Sequence, residues 1–235
     1  MLNFDLVAQS FRNKPSALNL SRLTPQPLTM RAQTNGGFDV LIYDIIGMGF
    51  CEADDVVEAL SVAGGAPVRV RINSPGGDAF AGVACMNALN SYDGDVTVQI
   101  DGVAASAAAY MAMGADRVDM LPASFFMIHN SWTVSMGDKT RLQSQINALS
   151  RIDEMQATVF AEKTGLSTTQ IAGMLDAETW LTAEEAREFG FADKIIGQDA
   201  EEVAAQAMRS ETGENFTFEK RRKMLAARVL SARYK

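Results

Sequence analysis

The chain has 235 residues, 47% hydrophobic and 21% charged, the balance of an ordinary soluble globular protein able to bury a sizeable core. Its net charge of −8 is unevenly placed: residues 1–31 carry +3 and residues 219–235 carry +6, which leaves −17 between them and argues against nucleic acid as that stretch's partner. No apolar run has the length of a membrane span, no signal-peptide pattern opens the chain, and Cys51, Cys85 and the single histidine His129 supply neither a disulfide framework nor a zinc ligand set. The expectation is a cytoplasmic protein with no metal, no other cofactor and no membrane contact.

Residues 1–37 hold three prolines and end in Asn35-Gly36-Gly37, which reads as an irregular arm. Residues 38–46 alternate like a strand, and 54–63 carry Val56, Val57 and Leu60 at helical spacing with acids near the start. A strand follows over 68–72, then the turn Asn73-Ser74-Pro75-Gly76-Gly77-Asp78 and a helix over 79–91. Strand 96–100 leads into Asp101-Gly102 and an alanine-rich helix over 106–113, and strands follow at 117–120 and 124–128. Alternating strands and helices of this length imply a largely parallel sheet. In residues 140–163, Leu142, Ile146, Leu149, Ile152, Met155 and Val159 recur every three or four positions, the pattern of one long amphipathic helix capped by Gly165. A short helix at 167–175, a strand at 179–181 and a capping box at Thr182-Ala183-Glu184-Glu185 come next. The remaining expected helices are 201–209 and the basic 219–233.

Three stretches carry chemistry. Ser106 stands in a run of small residues after a strand, in the first turn of the expected helix, where unpaired amides and the helix dipole favour a developing negative charge. The same run also fits a close-packing helix in which Ser106 is merely small. His129 ends the apolar run Phe125-Phe126-Met127-Ile128, as a base or as a satisfied core residue. The glycine pair after strand 68–72 brings backbone amides near a ligand, or makes a plain tight turn.

Taken together, Arg71-Ile72-Asn73-Ser74-Pro75-Gly76-Gly77, Asp101-Gly102-Val103-Ala104-Ala105-Ser106-Ala107, Met127-Ile128-His129-Asn130 and Glu178-Thr179-Trp180-Leu181-Thr182-Ala183-Glu184-Glu185-Ala186 resemble the proteolytic subunit of the Clp proteases. The similarity is closest to phage and prophage head-maturation proteases, and it covers residues 38–197. It implies an α/β fold of the Clp protease/crotonase type, built of repeated ββα units with a protruding handle helix at 140–163. From periodicity alone, that helix equally fits a cover for the domain's own sheet. The implied division is an arm (1–37), a protease domain (38–197) and a C-terminal helical extension with a basic tail (198–235).

The resemblance implies a serine endopeptidase with Ser106 as nucleophile, His129 as base, and the amides of Gly76 and Ala107 as oxyanion hole. Registering the family's aspartate against Trp180-Leu181-Thr182-Ala183 puts the triad acid at Glu178, with Asp176 as the alternative. Gly77, Asn130 and Trp132 fall on the substrate groove, although the paired glycines usual after the histidine are absent here. Expected partners are capsid or scaffold proteins as substrates, and further copies of the chain in a ring, as a heptamer or double ring. Residues 1–37 do not resemble the family's ATPase-docking segment, so an ATPase partner is left open. The basic tail reads either as a contact arm or as a solubilising helix. Three other readings share part of the pattern. A crotonase-type acyl-CoA enzyme lacks a serine–histidine pair there; a Ser-Lys signal-peptide peptidase needs a lysine, and none lies between Lys14 and Lys139; an inactive assembly protein would keep the fold without the chemistry.

Overall fold

A computed structural model describes residues 28–34 and 36–197. The expected helices at 201–209 and 219–233, and residues 1–27 and 35 of the N-terminal arm, lie outside the described residues.

Strands β1 (Thr29–Ala32), β2 (Phe38–Ile42), β3 (Val68–Ser74), β4 (Val96–Ala105), β5 (Arg117–Met120) and β8 (Lys194–Ile195) lie side by side in that order. β2 through β5 and β8 run parallel, while β1 pairs antiparallel with β2, Thr29 opposite Leu41. β6 (Phe125–Ile128) and β7 (Thr179–Thr182) branch from β4. One face of the sheet is a ladder of branched apolar residues, with Val40 and Ile42, Val70 and Ile72, Val98 and Ile100, Val118 and Met120 all buried. This is the strand alternation read from the sequence. The other face carries ion pairs: Asp39 with Arg69 directly opposite at 2.7 Å, Arg71 with Asp101 at 2.7 Å and, within β5, Arg117 with Asp119 at 3.0 Å.

Helices α1 (Ala53–Ala63), α2 (Ala79–Asn90) and α3 (Ala107–Ala112) contribute to the core formed on the apolar face. Their ends follow local chemistry. Glu52 and Asp55 cap the start of α1 reciprocally, Gly64 ends it in the left-handed region, and Asp78 accepts the Ala81 N–H at the start of α2. All six residues of α3 are buried. A methyl on Gly82 of α2 would lie 3.0 Å from Ala107, so the small residues permit a close helix approach.

α4 (Lys139–Thr164) is the long helix, ended by Gly165 at φ +69° as expected. Its last two turns pack inward through Ala157, Phe160 and Thr164, with Phe160 meeting Tyr110 and Phe191 edge-on at 5.8 and 5.6 Å. Nearer its start, Leu142 and Ile146 are exposed. The helix therefore projects instead of covering its own sheet. α5 (Thr168–Asp176) and α6 (Ala183–Phe189) flank β7, and Thr182 with Glu185 forms the expected capping box.

Two expectations change. The arm is not wholly irregular, because β1 completes the sheet's edge at residues 29–32. The turn expected at Asp101-Gly102 is absent: β4 continues to Ala105, because its second half gains a new partner, β6. No helix of the described residues is long and apolar enough to cross a membrane.

Candidate active site

Ser106 owes its position to a fork in the sheet. The first half of β4 pairs with β5 (Thr97 opposite Arg117 through Ile100 opposite Met120), and the second half pairs with β6 (Val103 opposite Phe125 through Ala105 opposite Met127). Ser106 therefore leaves the strand beside the end of β6, its N–H held by the Met127 carbonyl at 2.9 Å. It is the residue before α3 and not, as expected, inside the first turn. Its φ of 56° and ψ of −122° form a sharp strand-to-helix corner that a non-glycine residue rarely adopts. Such strain is held only where its surroundings over-determine it, and corners of this kind expose a nucleophile at the top of a sheet.

His129 follows β6 directly. Because β4 and β6 are parallel neighbours, their ends emerge together, and His129 Nε2 lies 2.7 Å from Ser106 Oγ. That is hydrogen-bond distance for removing the hydroxyl proton. Both residues are half-buried.

Both candidate acids lie at the junction of α5 and β7. β7 runs antiparallel to β6, with Met127 opposite Trp180 and Ile128 opposite Thr179. His129 and Glu178 are the residues next beyond the last pair of that register, Ile128 opposite Thr179. Glu178 is half-buried at φ 48°, its N–H closing a tight turn on the Leu175 carbonyl at 3.1 Å. That turn is the left-handed end of α5, a place usually given to glycine or asparagine. Asp176 is exposed and accepts a hydrogen bond from Asn130 Nδ2 at 2.7 Å. Asn130 also donates its backbone N–H to Leu175 O at 3.2 Å. The expected groove residue Asn130 thus fastens the segment after the histidine to the corner that carries the acids.

The glycine turn lies directly on Ser106. A methyl on Gly76 would meet Ala105 O at 2.5 Å, Ser106 Cβ at 2.8 Å and Ala107 N at 2.9 Å, and the φ of +93° also demands glycine. Gly76 N–H donates to Ser74 Oγ at 3.1 Å, and Gly76 C=O accepts from Ile46 N–H at 2.9 Å. Gly76 is buried and Gly77 exposed, and Gly77 N–H has no hydrogen-bond acceptor among the described residues. The amide of Ala107, at the first position of α3, is likewise uncommitted among them.

Beyond Asn130 the chain has no regular secondary structure until α4. Ser131 is tied to α4 by its N–H to Asp153 at 2.7 Å and by Gln156 at 3.2 Å. Residues 132–137 make no hydrogen bond among the described residues, and Trp132, Val134 and Met136 are 62%, 82% and 85% exposed. A segment with a free backbone edge and apolar side chains beside the serine–histidine pair suits an extended peptide added as a strand.

Sequence reading passed over Ser74 as a turn residue. Its signal was present, since the alternation Val68, Val70, Ile72 puts Ser74 on the buried face, where a hydroxyl needs partners. Among the described residues no cluster of histidine, cysteine and acids could hold a metal ion.

A family model described as Clp protease matches residues 52–199. The ATP-dependent Clp protease proteolytic subunit of Chlorella vulgaris is 32% identical over 128 residues, 54% of this chain and 64% of that protein. Its counterpart from Bacteroides fragilis is 28% identical over 138 residues, 58% of this chain and 67% of that protein. The chain therefore spans about two thirds of the length of these relatives. Among solved structures, a ClpP1 point mutant from Listeria monocytogenes superposes with a TM-score of 0.62 at 27% identity, covering 70% of this chain and 94% of that one.

Proposed function

The chain belongs to the Clp protease family, and on that premise we propose that it is a serine endopeptidase whose nucleophile, base and orienting acid are Ser106, His129 and Glu178. The observation that carries the reading is the 2.7 Å contact between His129 Nε2 and Ser106 Oγ, made by two residues at the ends of adjacent parallel strands. Ser106 Oγ attacks the scissile carbonyl while His129 Nε2 takes its proton. The carbonyl oxygen becomes an oxyanion, which backbone N–H groups stabilise. We assign these donors to Ala107 and, moving the expectation by one residue, to Gly77, because the Gly76 N–H is spent on Ser74. His129 then returns the proton to the leaving amine, and water repeats the sequence on the acyl-enzyme. Glu178 holds the imidazole in the required tautomer and offsets its positive charge. Gly77, Trp132 and the free backbone edge that follows line the groove for an extended substrate.

Members of the family assemble as rings, and the exposed Leu142 and Ile146 on a projecting helix fit such an assembly. The role in phage head maturation, with capsid or scaffold proteins as substrates, is supported by the resemblance of the four motifs to that branch. Both levels are tested with one pair of proteins, wild type and Ser106→Ala. Wild type should be labelled by a fluorophosphonate at Ser106 alone and should cleave an unfolded protein, and the variant should do neither. Labelling at another residue overturns the site. Cleavage of generic unfolded protein but not of co-expressed capsid and scaffold proteins overturns only the maturation role.

A further inference from the structure

The buried hydroxyl of Ser74 has no part in the chemistry above, yet it touches both sides of the turn that does. Ser74 is fully buried at the end of β3. Its Oγ donates to the Asp44 carbonyl at 2.6 Å and accepts the Gly76 N–H at 3.1 Å. β3 and β4 slip register between Ile72 and Ser74, so β3 is not holding the turn by regular ladder bonds at that point. The chain after β2 makes the complementary contacts: Ile46 N–H to Gly76 C=O and Asp78 N–H to Ile46 C=O, both at 2.9 Å.

Each peptide unit is a rigid plane with N–H and C=O pointing oppositely. The Ile46 bond to Gly76 C=O therefore turns the Gly77 N–H away from Ile46. The Ser74 bond to Gly76 N–H fixes the preceding plane. With both planes pinned, Gly76 has no remaining freedom in φ or ψ, although glycine is the residue most able to use it.

We propose that Ser74 is a positioning residue of the oxyanion hole: its hydroxyl clamps Gly76 to the Asp44 carbonyl and so aims the Gly77 N–H at the substrate oxygen. The role rests on the serine-peptidase reading and extends it. Without the hydroxyl, the Pro75–Gly76 plane can rotate and the Ile46 bond holds the Gly76–Gly77 plane from one side only, so the Gly77 donor loses part of its aim while Ser106 and His129 keep theirs. Misplacing a donor by about 1 Å costs on the order of 10²-fold, and losing it entirely on the order of 10²–10³-fold.

The test compares Ser74→Ala with wild type on a short peptide ester and on a peptide boronic acid, whose tetrahedral adduct needs the oxyanion donors. The expected result is a kcat lower by about 10- to 100-fold, KM within about twofold, and boronate affinity weakened in proportion to kcat. The pH at which activity rises should stay unchanged, since the Ser106–His129 pair is untouched. Ser74→Cys, close in size but a weak acceptor, should fall between the two and decides the matter should Ser74→Ala not fold. Unchanged kcat, or a loss shared between KM and the pH profile, overturns the positioning role and leaves the peptidase intact. A wild type inert to both ester and boronate overturns the peptidase reading and the role of Ser74 with it.

Discussion

Replacing Glu178 by glutamine is the most discriminating change the site offers. The amide keeps the length and volume of a half-buried side chain held at φ 48°, so the corner between α5 and β7 should survive and only the charge is removed. A carboxylate about 4 Å from an imidazolium is worth about 4 kcal/mol at an effective dielectric constant of about 20. At about 1.4 kcal/mol per decade this is roughly 10³ in rate, and the wrong tautomer brings the loss towards 10⁴, the size found when a triad acid is neutralised. Asp176→Asn should cost less than about tenfold, because Asp176 is exposed and its bond from Asn130 Nδ2 can be remade with an amide oxygen. The assay is kcat on a short fluorogenic peptide, with melting temperature measured alongside to show that each variant folds. If Asp176→Asn proves the more damaging, the wrong carboxylate has been assigned. If neither change costs more than tenfold, His129 works without an orienting acid and the triad reading fails.

Three further outcomes follow from the packing. Gly76→Ala should abolish hydrolysis and lower stability by about 1–3 kcal/mol in denaturant titration, since its methyl would press on Ala105 O and Ser106 Cβ. Leu142→Asp with Ile146→Asp should reduce the assembled mass seen by light scattering while leaving the melting temperature of the subunit nearly unchanged, because both residues are exposed on the projecting part of α4. Cys51 and Cys85 are buried, and burial pushes both thiols up to about 12, so about one in 10⁴ is ionised at pH 8. A disulfide reagent at that pH should therefore titrate neither thiol in the native protein and both in denaturant.

What was legible in the sequence divides along physical lines. Strands whose apolar residues alternate at one face, such as Val68–Ser74, and helices with polar caps, such as Ala183–Phe189 behind Thr182 and Glu185, announce themselves because the signal is local. β1 and β8 do not, for they are four and two residues long and owe their conformation to the neighbour that pairs with them. The fork in β4 was hidden for a related reason. Asp101-Gly102 is a strong turn signal, yet the new pairing with β6 from Val103 to Ala105 outweighs it, and the chain stays extended for three more residues. Tertiary pairing overrode local preference at the one place where the strand's length decides where Ser106 lands.

The site itself shows a second kind of hidden information. Three described non-glycine residues have positive φ, namely Met48, Ser106 and Glu178, and two of them are proposed members of the triad. Nothing in residue type announces this, since neither serine nor glutamate favours that region, and each costs on the order of 1–3 kcal/mol to hold there. The surroundings that enforce it are visible: the Met127 carbonyl on Ser106 N–H, the close face of Gly76, and the Leu175 carbonyl on Glu178 N–H. Replacing Ser106 by glycine should accordingly relieve strain and raise stability even as it removes the nucleophile, whereas alanine, which keeps the Cβ, should leave most of the strain in place. A glycine variant no more stable than the alanine variant would mean that the corner at Ser106 stores little strain and that its geometry is set by packing alone.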